Sequence, residues 1–145
     1  MDNLTKAQRR KNMQNIHSTG TKPERIIMRA LRQSGMYFAS HVSSLLGKPD
    51  IVFRRKQIAI FIDSDFWHGH PKRFIMPATN RKYWKGKIAG NKARDKLAER
   101  ELRLNGWKVL RFWEYDITHK LDKVIRKIIL TLETAKEKNK PGENR

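Results

Sequence analysis

The chain has no cysteine among its 145 residues. Disulfides and every thiolate metal site are therefore excluded. Acids are scarce as well, with 14 Asp and Glu against 33 Lys and Arg and a net charge of +19. No run of about 18 apolar residues occurs, so no membrane-spanning helix is expected. No apolar segment with a small-residue cleavage site opens the chain, so no secretory leader is expected either. These absences lead to the expectation of a soluble, intracellular protein. No internal repeat is visible.

What is present is basic charge in a chain long enough for one domain with a real core. The positive residues form no pure block but are interleaved with apolar and aromatic ones along the sequence. That pattern reads as a folded basic surface rather than a tail. A phosphate backbone is the partner such a surface suits best, because neutralised phosphates release condensed counterions. An acidic membrane surface is the rival.

Three regions follow from the patterning. Residues 1–20 are polar and basic and read as an arm. Residues 21–135 read as the folded domain, and 136–145 as a flexible tail. Thr21-Lys22-Pro23-Glu24 reads as a helix start, with Thr21 as N-cap and Glu24 closing a capping box. Ile26, Ile27, Ala30 and Leu31 give that helix an apolar face, and Gly35 stops it. Met36 to Val42 is expected as a strand, and Gly47-Lys48-Pro49 as a turn. Asp50–Phe53 and Gln57–Ile62 read as a hairpin around Arg54-Arg55-Lys56. Pro71, Pro77, Gly86 and Gly90 mark much of 71–90 as irregular. A helix is expected over Asn91–Asn105, with Gly106 after it. Trp107–Trp113 reads as a central strand covered on both sides. Leu121, Val124, Ile125, Ile128, Ile129 and Leu132 mark a final amphipathic helix. This order implies an α/β sandwich with a mixed sheet.

The apolar run Ile58 to Ile62 ends in a cluster of two acids, two aromatics and two histidines, Asp63 to His70. Upstream, Pro49-Asp50 opens Ile51-Val52-Phe53. Two strands each carrying a carboxylate at an end, in so basic a chain, point to a metal-dependent enzyme acting on a polyanion. The Pro-Asp pair, followed by an acid at the end of the next strand, resembles the PD-(D/E)xK nuclease pattern. In that pattern carboxylates from adjacent strands hold Mg²⁺, which takes few carboxylates and keeps water and phosphate oxygens as its other ligands. Asp63 would be the second acid, and the lysine position two residues later is Asp65. Taken alone, Asp50 reads equally well as an ordinary turn residue after Pro49.

Further motifs occur in a fixed order: Arg10-Lys11-Asn12-Met13, Pro23-Glu24, Gly47-Lys48-Pro49-Asp50, Phe66-Trp67-His68-Gly69-His70, Pro77-Ala78-Thr79-Asn80, Tyr83-Trp84, Lys87-Ile88, Asn91, Arg94-Asp95, Gly106-Trp107-Lys108-Val109 and Trp113-Glu114. Over roughly residues 8–115 the chain resembles the Vsr (very short patch repair) DNA mismatch endonucleases. The resemblance implies a restriction-endonuclease-like fold, a mixed central sheet flanked by helices. It implies Mg²⁺-dependent nicking 5′ to the thymine of a T:G mismatch in double-stranded DNA, by a cytoplasmic, nucleoid-associated monomer. A cytosine methyltransferase system and repair proteins are the implied partners.

The family's active-site set carries over to Glu24, Asp50, the Ile62 carbonyl, His68 and Asp95. Asp50 and the Ile62 carbonyl would hold the metal. His68 would act as general base, since an unperturbed imidazole titrates near neutral pH. Asp95 would orient His68 or hold metal-bound water, and Glu24 would act through metal-bound water. Each has a plainer reading: a helix cap for Glu24, a core histidine for His68, a surface pair with Arg94 or Arg100 for Asp95. Phe66, Trp67 and Trp84 match the residues that wedge into the duplex, and core packing is their alternative. Lys85, Lys87 and Asn91 would contact DNA around that wedge, and Arg10, Lys11 and Met13 would lie in the minor groove.

One departure stands out. Family members commonly carry a structural zinc held by cysteines and a histidine. The matching positions here are Asp65, His70, Lys72 and Tyr115. One ligand of a tetrahedral set remains, so no zinc is expected, and a polar network such as Asp65–His70 or Asp65–Tyr115 would hold the region instead. Three alternatives stay open: a homing- or restriction-type nuclease cutting matched DNA, a non-catalytic DNA-binding protein, and an RNA-binding protein.

Overall fold

The computed structural model describes residues 20–72 and 74–135. Arg10, Lys11 and Met13 lie outside them, as do all of the expected arm except Gly20 and the expected tail.

The elements are α1 (Lys22–Gln33), β1 (Ala39–Ser40), β2 (Ile51–Phe53), β3 (Ile58–Asp63), α2 (Arg81–Leu104), β4 (Lys108–Trp113), α3 (Glu114–His119) and α4 (Leu121–Thr134). The sheet order is β1-β2-β3-β4. β1–β2 and β2–β3 are antiparallel, the latter pair in the register Ile51↔Ile60. β3 and β4 run parallel from Ile58↔Lys108 to Asp63↔Trp113. A parallel pair needs a long crossover, and α2 supplies it.

Side chains alternate across the sheet and divide the core in two. Ile58, Ile60, Leu110 and Phe112 face one way, packing with Ile27 and Leu31 of α1, Ile117 of α3 and Val124 and Ile128 of α4. Ala59, Phe61 and Val109 face the other way, toward Leu102 of α2. The same alternation sends Asp63 and Arg111 to the α2 side, where the functional cleft forms.

Four boundaries differ from the expectation. The strand expected over Met36–Val42 is reduced to Ala39–Ser40, because His41 takes a left-handed backbone (φ 51°) that ends the extended run. The long helix begins at Arg81, not Asn91, and passes through Gly86 and Gly90. A glycine inside a helix costs only about 1 kcal/mol, and the packing of Trp84 and Ile88 keeps this turn helical. The capping box is not formed: Thr21 makes no side-chain cap, and Glu24 reaches back to the Gly20 N–H instead, at 2.6 Å. The short α3 was not foreseen, since six residues with one buried position, Ile117, are too few to show a period.

Candidate active site

The cleft is assembled at the ends of the two central strands. Asp50 precedes β2, and its backbone N–H donates to the Ile60 carbonyl at 3.0 Å. Its Oδ2 accepts the Ile62 N–H at 2.7 Å, which ties the carboxylate to the C-terminal end of β3. Burial, opposed by that hydrogen bond and reinforced by the nearby Glu24 charge, pushes the Asp50 carboxyl up to about 6. Glu24 comes in from α1, 7% exposed, with Oε2 3.1 Å from His41 Nε2.

Beyond Asp63 the chain folds into tight turns that bring His68 back over the sheet. His68 N–H donates to the Ser64 carbonyl at 3.0 Å and His70 N–H to the Asp65 carbonyl at 2.8 Å. Ser64 Oγ accepts the Trp67 N–H, and Glu114 Oε1 accepts the Asp65 N–H. Burial, partly offset by that bond, raises the Glu114 carboxyl. Gly69 (φ +61°) lets the loop pass close to α2, where an added Cβ would lie 2.9 Å from Ile88 Cγ2. His70 packs its ring on Trp113, and Tyr115 stacks on His119.

His68 Nε2 lies 2.6 Å from Asp95 Oδ2 and 3.8 Å from Asp63 Oδ1. Burial draws its pKa down, but the bond to Asp95 and the two carboxylate charges outweigh burial and hold it above the ordinary 6.5. With Nε2 facing Asp95, the neutral ring keeps its lone pair on Nδ1. That atom is buried and meets no hydrogen-bond partner among the described residues. Asp95 therefore pairs with His68 rather than standing on a solvated face.

Glu24, Asp50, Ile62, His68 and Asp95 all line one cleft of about 220 Å³, together with Asp63 and Arg111. Two sets of donors drawn from its carboxylates and nearby histidines are close enough to hold a cation: Glu24, His41 and Asp50, and Asp63, His68 and Asp95. Arg111 decides between them. Its Nε and Nη2 donate to both Asp63 oxygens at 3.0 and 2.9 Å, so the second set already carries its cation. In the first, the ionised form of Asp50 would be favoured by a divalent ion, and the Glu24 and Asp50 carboxylates, though not the His41 imidazole, are donors that suit a hard ion such as Mg²⁺.

Beside the cleft the aromatic residues form one cluster. Phe66 lies 5.3 Å from Trp67 and 5.4 Å from Trp84, and Tyr83 packs on Trp84 at 5.0 Å. Trp67 is 7% exposed and forms the base of the cluster, while Phe66 and Trp84 are half-buried. Asn91 Nδ2 donates to the Trp67 carbonyl at 3.0 Å and so anchors the loop to α2. Lys82, Lys85, Lys87, Lys92 and Arg94 are exposed along the same helix.

Sequence reasoning missed Arg111 and His41. An arginine set between the apolar Val109-Leu110 and Phe112-Trp113 of one strand was the available signal, since a charge so placed needs partners. Nothing in the pattern marked His41.

Comparison with known proteins gives this cleft its setting. The chain is 40% identical over 119 residues to the type II nicking enzyme V.NmeDIP of Neisseria meningitidis serogroup C, covering 81% of this chain and 80% of that protein. It is 36% identical over 118 residues to the type II nicking enzyme V.XorIIP of Xanthomonas oryzae, covering 81% and 87%. It is 37% identical over 110 residues to the DNA mismatch endonuclease Vsr of Escherichia coli, covering 75% and 70%. The class is thereby defined as a DNA-nicking endonuclease. Residues 1–73 match the family model described as DNA mismatch endonuclease Vsr. The chain belongs to the Vsr family.

Proposed function

We propose that this chain nicks one strand of duplex DNA, 5′ to the thymine of a T:G mismatch, with Mg²⁺ as its cofactor. The observation that carries the reading is the convergence of Glu24, Asp50, His68 and Asp95 on one cleft beside an aromatic cluster and a lysine-studded helix face.

Asp50 and the Ile62 carbonyl would hold the metal, with Glu24 reaching it through water. A bound Mg²⁺ would neutralise charge developing on the scissile phosphate. His68 supplies the base: Asp95 fixes the ring through Nε2, and Nδ1, buried in the free protein, would take the proton of the attacking water once bound DNA opens the loop that carries it. Water oxygen forms the new bond to phosphorus as the bond to the leaving oxygen breaks.

Phe66 and Trp84 would insert at the weakened pair, supported from beneath by Trp67. Unstacking costs a few kcal/mol, and less at a wobble pair. Lys85, Lys87 and Asn91 would hold flanking phosphates, and Arg10, Lys11 and Met13 would lie in the minor groove. The antiparallel hairpin with a parallel fourth strand fits a restriction-endonuclease-like sheet of the PD-(D/E)xK type. The proposal includes a monomeric, nucleoid-associated protein that works beside a cytosine methyltransferase and repair proteins. It includes no zinc, because Asp65, Lys72 and Tyr115 stand where cysteines would bind it. Among the described residues no helix is long and apolar enough to cross a membrane.

The test is cleavage of T:G and fully paired duplexes of the same sequence. Preferential nicking of the T:G duplex supports the reading. Equal cleavage of both replaces it with a homing- or restriction-type nuclease.

A further inference from the structure

We propose that Arg111 is a positioning residue for the nicking reaction: it clamps Asp63 through both oxygens and so leaves Asp95 to hold the His68 ring. The inference rests on the reading of His68 as the base.

Arg111 projects from β4 into the same cleft. Its guanidinium lies over the Phe61 ring, 4.4 Å from the centroid. The bond pair to Asp63 is bidentate, a geometry that a lysine ammonium cannot reproduce. Nη2 also lies 3.5 Å from Asp95 Oδ2, and Nη1 3.6 Å from Glu99 Oε1. One cation thus serves three carboxylates.

Its position matters because Asp63 and Asp95 both approach the same ring atom, His68 Nε2, at 3.8 and 2.6 Å. A neutral imidazole has one proton to offer there. A second, unpaired carboxylate would favour the doubly protonated ring, whose Nδ1 cannot accept a proton. With Asp63 held by Arg111, Asp95 fixes the tautomer while the ring keeps its lone pair. The other charged groups around His68 are Glu114 at the start of α3, Glu24 and Asp50 in the same cleft, and Lys48 and Arg94, which line a neighbouring cleft shared with the ring. Of the two cations, Lys48 has no fork to occupy Asp63, and Arg94 donates to Asn91 Oδ1 instead.

The experiment compares wild type, Arg111→Met, Asp63→Asn and the double variant. Two readouts are taken: the pH profile of single-turnover nicking of a T:G duplex, and ring-¹⁵N NMR titration of His68 in the metal-free protein. Arg111→Met should move the acid limb of the rate profile, and the His68 titration, up by about one pH unit, since a charge within 4–6 Å shifts a titration by about 1–3 units. Adding Asp63→Asn should return both toward wild type. If Arg111→Met does not fold by circular dichroism, Asp63→Asn alone decides, and should move both downward. An unmoved limb with a lower rate, and no rescue in the double variant, assigns Arg111 a merely structural role and overturns the proposal. His68→Ala separates the two claims. A limb that persists without the imidazole sinks the base assignment, whereas a limb that belongs to His68 but ignores Arg111 and Asp63 sinks only the positioning role.

Discussion

Asp50→Asn should stabilise the metal-free protein while abolishing its activity. Burial lifts the Asp50 carboxyl from its ordinary 3.8 to about 6, so the folded state binds this proton more tightly than the unfolded chain does. The sign follows from linkage: the native state loses stability as pH rises through this interval, and the loss is complete above pH 6. A change from 3.8 to about 6 corresponds to about 3 kcal/mol at most. The asparagine amide oxygen can still accept the Ile62 N–H, so the variant removes the charge and keeps the bond. For a chain of this size, 1 kcal/mol moves Tm by about 2–4 °C. The gap in Tm between variant and wild type should therefore be near zero at pH 4, open between pH 4 and 6, and reach several degrees at pH 8. Added Mg²⁺ should raise the wild-type Tm and close the gap, because an ion that binds the native state alone stabilises it. Differential scanning calorimetry across this pH range, with and without Mg²⁺, is the assay. A variant no more stable than wild type at pH 8 would refute the reasoning, as would a gap that ignores the metal.

Three further outcomes are expected. His68→Ala should slow nicking about 10²–10⁴-fold, and the wild-type rate should fall as pH drops through a His68 pKa above 6.5; a flat profile to pH 5, with chemistry rate-limiting, would contradict this. Trp84→Ala should weaken binding to T:G duplexes by about 1–3 kcal/mol and narrow the preference over matched DNA, whereas Lys85→Ala should weaken both alike and lower the salt slope by about one; equal losses in the tryptophan variant would mean packing rather than reading. Metal analysis of the purified protein should find no stoichiometric zinc, and chelators should stop nicking without unfolding the chain; one tightly held zinc per chain would show an oxygen-rich site at His70 and Asp65.

The sequence carried the sheet further than its edges. The apolar run Ile58–Ile62 marked a central strand, because burial on both faces leaves no polar alternation. Trp107–Trp113 was expected as central too, but among the described residues β4 pairs with β3 alone and lies at the sheet edge, its two faces covered by helices instead of its two sides by strands. β1 was overestimated because a left-handed histidine leaves no trace in the pattern. The start of α2 was misplaced because glycines were weighed as breakers, whereas the packing of Trp84 and Ile88 offsets their cost. For the site, motif order singled out Asp50, His68 and Asp95, and the structure lines one cleft with all three. The capping-box spacing pointed Glu24 at the wrong partner: it accepts from Gly20 and faces His41. The partner of Arg111 was not legible, since Asp63 lies 48 residues away and only the parallel β3–β4 pairing brings them together.

The central claim is metal-dependent, mismatch-directed nicking from the Asp50 cleft. Its most direct test maps products on a T:G duplex labelled separately on each strand, with Mg²⁺ or with chelator, for wild type and Asp50→Ala. The account predicts one break, 5′ to the mismatched thymine, only with Mg²⁺ and only in the wild type, while Asp50→Ala still binds the duplex. Breaks in both strands, equal cutting of paired DNA, or nicking that survives the loss of Asp50 would contradict it.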